Sequence, residues 1–110
     1  MKKMKNYITI VTSTNSRKDS LRIKDSILSK KLSPCIQIIK NVESSYIWKG
    51  KILTEYEELI YIKTSDCKKN QIIKEINSIH SYDTPEIICY NFDIVSDKYE
   101  KWFLGNIGEE

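Results

Sequence analysis

Residues 35–63 read CIQIIKNVESSYIWKGKILTEYEELIYIK. Cys35-Ile36-Gln37-Ile38-Ile39 is β-branched and apolar and reads as a strand, continuing through Tyr46-Ile47-Trp48 after an interruption near Asn41. Lys49-Gly50-Lys51 is the hairpin signal, because Gly50 permits a backbone that other residues resist. Glu57-Glu58-Leu59-Ile60-Tyr61-Ile62-Lys63 is the returning strand. Two strands in succession joined by a tight turn exclude a simple βαβαβ alternation, so the flanking elements decide the architecture.

Toward the N-terminus, Tyr7-Ile8-Thr9-Ile10-Val11-Thr12 reads as a strand, and Ser13-Thr14-Asn15-Ser16 offers helix caps. From Arg17 to Leu32, Leu21, Leu28 and Leu32, with Ile23 and Ile27 alongside, recur at helical spacing, and Pro34 is expected to end that helix. Toward the C-terminus, Ser65 or Asp66 caps a second helix with an apolar stripe of Ile72, Ile73, Ile76 and Ile79. His80 to Pro85 is a loop, and Glu86 to Val95 a fourth strand centred on Ile87–Phe92. Asp97 caps a short helix carrying Tyr99, Trp102 and Phe103.

The expected fold is therefore α+β, a ferredoxin-like β-α-β-β-α-β sandwich with a short C-terminal helix. Right-handed crossovers put both long helices on one face of the sheet. Ile36–Ile39 and Leu59–Ile62 are apolar almost without alternation, which implies burial on both faces. A partner subunit is the economical cover for the second face.

The 110 residues form one domain, with its core at about residues 7–104. Hydrophobic residues at 40% and charged residues at 30% are a globular balance. The net charge of +3 is spread among acidic neighbours apart from Lys2, Lys3, Lys5 and the pair Lys68-Lys69, so a nucleic-acid partner is not expected. No segment reaches the ~20 apolar residues of a membrane span, and no signal-peptide core follows Asn6. The three cysteines form no C-x-x-C pair, which points to a reducing, cytoplasmic setting. Cys35 and Cys89 are expected in the core, and Cys67 exposed at the second helix's cap.

The three glycines form no phosphate cradle, and His80, the single histidine, lies in no catalytic-triad signature, so an enzyme is not expected. Glu55, Glu57 and Glu58 read either as a solvated strand edge or as one wall of a cleft. His80, Asp83 and Glu86 are close enough in sequence to contribute to a weak or shared metal site. Tyr46, Trp48, Tyr56, Tyr61 and Tyr82 are an aromatic set around the hairpin and loop, expected to fill core or interface.

Ser45–Lys51, Glu57, Ile62-Lys63-Thr64, His80–Glu86, and Tyr99 with Trp102 together resemble the CutA family of divalent-cation tolerance proteins. Lys31–Cys35 resembles the family's junction between first helix and second strand, and the likeness runs from about Tyr7 to Phe103. The resemblance implies a tight homotrimer similar in architecture to PII signalling proteins. It also implies clefts between subunits lined by Tyr46, Trp48, Glu57, Lys63, His80, Tyr82 and Glu86. Copper binding in bacterial members relies on a first-strand cysteine and two adjacent histidines. Thr12 and Ile79 occupy two of those positions here, leaving His80 as the candidate metal ligand. The expected function is a trimeric regulatory protein with no obligatory cofactor, binding Cu²⁺, Zn²⁺ or a small molecule weakly. The alternative is a trimeric scaffold that organises other proteins.

Overall fold

The computed structural model describes residues 6–108; Lys2, Lys3 and Lys5, and the outermost parts of the expected 1–110 domain, lie outside them. In chain order the elements are β1 (Tyr7–Thr14), α1 (Arg17–Ser29), β2 (Cys35–Trp48), β3 (Lys51–Ser65), α2 (Lys69–Ile79), β4 (Ile87–Phe92) and α3 (Asp97–Gly105). A 3₁₀ turn, Asp66–Lys68, leads into α2. The four strands form one sheet in the order β2-β3-β1-β4, every neighbouring pair antiparallel. Each long helix therefore joins two parallel strands with a third strand between them.

Side-chain alternation assigns the two faces. Ile8 and Ile10 of β1, with Ile60 and Ile62 of β3, pack against Ile23 and Ile27 of α1 and Ile72 and Ile76 of α2. Both long helices thus cover one face, as the crossover rule requires. On the other face α3 covers one end, where Phe103 meets Tyr7 edge-on and Tyr7 stacks on Phe92. Ile39 and Ile88 on that face stay 49% and 48% exposed.

Several local expectations are corrected. α1 ends at Ser29, before Pro34 can act. Lys31 takes a left-handed φ of 57°, its N–H bonds to Leu28 O, and the N–H of Leu32 bonds to Ile27 O. These paired bonds form a Schellman cap, made here without glycine. α2 has no side-chain cap; the 3₁₀ turn supplies its first bonds instead. Ser96, not Asp97, caps α3 by accepting from the N–H of Tyr99. β4 stops at Phe92, short of Val95. Cys89 is exposed because β4 is an edge strand, and Cys35 is only half-buried; Cys67 is exposed as expected.

The hairpin turn is Lys49-Gly50, with φ of 51° and 78°. Two positive φ values between directly paired Trp48 and Lys51 are those of a type I′ turn, which matches the strands' own twist. Beyond Glu58, β3 has left β1 and pairs with β2 alone, so the hairpin projects from the sheet. It sets the molecule's long dimension of 52 Å.

Candidate functional site

The interruption read near Asn41 is a β-bulge: Ile39 pairs with Leu59 and Val42 with Glu57, so Lys40 and Asn41 together face the single residue Glu58. Asn41 accommodates the bulge with a φ of 58°. One extra residue reverses the side-chain parity of everything beyond it. Tyr46 and Trp48 thereby join Glu55 and Glu57 on one face. Without the bulge they would point away from them.

The loop after α2 closes over this face. The N–H of Tyr82 donates to Nδ1 of His80 across 3.1 Å, so Nδ1 is the acceptor nitrogen. Nε2 therefore carries the ring proton and donates it to the carbonyl of Ser13 across 2.7 Å. His80 is buried, with its ring 4.6 Å from that of Tyr82. Held this way, Tyr82 reaches the sheet and donates its hydroxyl to Oε2 of Glu57 across 2.6 Å. Burial, together with the neighbouring carboxylates of Glu57 and Glu55, holds the Tyr82 phenol protonated far above its ordinary range. Tyr46 repeats the arrangement, donating to Oε1 of Glu55 across 2.7 Å. That bond and the acidic surroundings raise its pKa as well.

Between hairpin and loop lies a cavity of about 830 Å³. Tyr46, Trp48, Glu55, Glu57, Tyr82 and Glu86 line it, among others. Five of the seven expected site residues thus converge within one chain. His80 stands behind the wall as the anchor of Tyr82. Lys63 does not join them: it lies six residues along β3, roughly 20 Å away, in a separate cavity of about 530 Å³ with Tyr61, Tyr90 and Tyr99.

Glu57 is no solvated edge residue, being only 7% exposed beneath Tyr82. Glu58 faces the other way and pairs with Arg17 at 3.0 Å. The metal set expected from sequence spacing does not assemble among the described residues of one chain. Both ring nitrogens of His80 are already engaged. Among the described residues no three His, Cys, Asp or Glu side chains gather to hold an ion. The position matching the family's cysteine, Thr12, faces the helices. Sequence reasoning missed Ser13, which contributes through its backbone carbonyl and so leaves no side-chain signal. It also missed Asn15, Ser44 and Leu53, which line the cavity because of the register.

The sequence profile of the CutA1 divalent ion tolerance protein family matches residues 8–106. The chain is 35% identical over 95 residues to "Protein CutA, chloroplastic" of Arabidopsis thaliana, covering 86% of this chain but 52% of that protein. It thus spans about half the length of that plant relative. Among solved structures, CutA1 of Ehrlichia chaffeensis superposes with a TM-score of 0.84 at 33% identity, over 94% of this chain and 96% of that one. CutA1 of Oryza sativa gives a TM-score of 0.90 at 30% identity over 96% of both chains. The mixed α+β fold and the order of its motifs, matched along nearly the whole described chain, place this protein in the CutA1 divalent ion tolerance family.

Proposed function

We propose that the chain is a non-enzymatic binding and regulatory protein of the divalent-cation tolerance type. It acts as a homotrimer of ferredoxin-like subunits, and its cleft weakly holds a divalent metal such as Cu²⁺ or Zn²⁺, or a small ligand. The observation that carries this reading is an open polar cleft set against an apolar projecting hairpin. Ile47 and Ile52 at the hairpin's end are 73% and 79% exposed, and one face of the sheet keeps Ile39 and Ile88 half in water. Large apolar side chains left this exposed mark an interaction surface. A neighbouring subunit packed there would close the cleft's outer side. The described residues contain no helix long and apolar enough to cross a membrane. The expected cytoplasmic location is set by context outside the fold, since a plant relative is chloroplastic by name.

Light scattering at micromolar concentration tests the assembly, with an expected mass three times 12.9 kDa. A folded species at one subunit's mass would overturn it. Calorimetric titration with Cu²⁺ and Zn²⁺ tests the cleft. Binding should weaken in Glu57→Gln and in His80→Ala, the latter by releasing Tyr82. Identical binding by wild type and both variants would remove the cleft as the site. The scaffolding alternative rests on the hairpin tip staying exposed after assembly; a stoichiometric protein partner retained in the presence of chelator would favour it.

A further inference from the structure

The charge distribution of the cleft identifies the class of ligand more closely, on the reading that the cleft is a ligand site. Glu55, Glu57, Asp83 and Glu86 line it, and no lysine or arginine does. None of these four carboxylates takes part in any of the four ion pairs among the described residues. Glu57 is the telling member. It is more than nine-tenths buried, and it lines the cavity. Its Oε2 accepts from Tyr82, while Oε1 has no partner among the described residues. A largely buried carboxylate without a counter-charge, one oxygen still open to solvent, favours a cation beside it.

The remaining wall is aromatic and apolar: Tyr46, Trp48, Tyr82, Leu53 and Pro85. Such surface contributes nothing to a hydrated metal ion but suits hydrocarbon, and its π-faces attract ammonium groups. Trp48 already has the Lys49 ammonium 5.9 Å from its ring centroid. The cavity's size of about 830 Å³ is that of a small-molecule site. A bare transition metal lacks a convergent donor set here, since the His80 nitrogens are committed and no three ligating side chains meet.

We propose that the cleft binds an organic ammonium, its cationic head against Glu57 and Glu55 and its hydrocarbon body on the Tyr46–Trp48–Tyr82 wall. Tyr82 and Tyr46 then act as positioning residues, because their hydroxyls fix one oxygen of each carboxylate and leave the other to the ligand.

Three probes of one shape and different charge test this by calorimetry on the full chain: benzylammonium, benzyl alcohol and benzoate. Benzylammonium should bind about tenfold or more tighter than benzyl alcohol, and benzoate should give no heat. Glu57→Gln keeps an acceptor for Tyr82 while removing the charge. It should remove that preference and leave benzyl alcohol unchanged. If Glu57→Gln does not fold, Glu55→Gln, at a less buried position, reads the same loss. Equal affinity for the ammonium and the alcohol, or a preference unaffected by both variants, overturns the proposal. Glu57-dependent binding of Cu²⁺ or Zn²⁺ without ammonium binding would overturn the ligand class and keep the cleft. Silence from every probe and metal would overturn both.

Discussion

The ring of His80 bonds to the carbonyl of Ser13, 67 residues away in sequence, with Nε2 donating across 2.7 Å. This bond ties the end of α2 to the end of β1 and aims the following loop back over the sheet. The same ring accepts the N–H of Tyr82, so one side chain fixes both the loop's origin and its first turn. Within one chain this geometry gives His80 a positioning role.

Replacing His80 by alanine leaves the Ser13 carbonyl and the Tyr82 amide without their partner. The cost should be about 1–3 kcal/mol, read as a lowered denaturation midpoint with an unchanged slope. Nitrogen-15 NMR of the imidazole should find the proton on Nε2. A proton on Nδ1 would contradict the bond from Tyr82.

Tyr82 and Glu57 should be energetically coupled. Tyr82→Phe removes the only hydrogen bond that Glu57 accepts among the described residues, and Glu57→Gln removes the charge that strengthens it. A double-mutant cycle should give a coupling of about 1–2 kcal/mol. A value within error of zero would mean that the carboxylate's charge adds nothing to this hydrogen bond.

Much of this was legible in the sequence, and the reasons are local. The period-two and period-3.6 patterns located all four strands and three helices, because the core faces are nearly pure isoleucine: Ile8, Ile10, Ile60, Ile62, Ile72 and Ile76. Element ends were harder. Lys31 adopts a left-handed cap with no glycine to announce it, and Ser96 outcompetes Asp97 by one position. The site was legible in its side chains and illegible in its register. Tyr46 and Trp48 reach Glu55 and Glu57 only because Lys40-Asn41 bulge opposite Glu58, and the sequence marked that place merely as an interruption. Lys63 lies on the same strand as Glu57, and distance along that strand keeps the two apart within the chain.

Alkaline stability should depend on Tyr7. Burial, and then its bond to Glu100 at 2.6 Å, push the phenol from its ordinary value near 10 up to about 12. The fold therefore favours the neutral phenol. That contribution is complete below pH 10 and is lost as pH rises from 10 through 12. Stability followed by circular dichroism should fall across that window in wild type. Tyr7→Phe should be weaker by about 1 kcal/mol at neutral pH, from the lost hydrogen bond, and should show a shallower alkaline decline. Equal declines in both proteins would assign the effect elsewhere.

Thr12 offers a test in the opposite direction. Its side chain is fully buried against the helices, and Oγ1 has no hydrogen-bond partner among the described residues. An unpaired buried hydroxyl costs on the order of 1–3 kcal/mol, and valine has almost the same shape without it. Thr12→Val should therefore raise the denaturation midpoint, by about 1 kcal/mol in free energy, and leave ligand binding at the cleft unchanged because the residue faces away from it. A destabilised variant would mean that Oγ1 bonds to a buried water. Weakened binding would mean that the two faces of β1 communicate. Either result would revise the separation of a helix-covered core from an open, ligand-facing sheet on which the reading of the cleft depends.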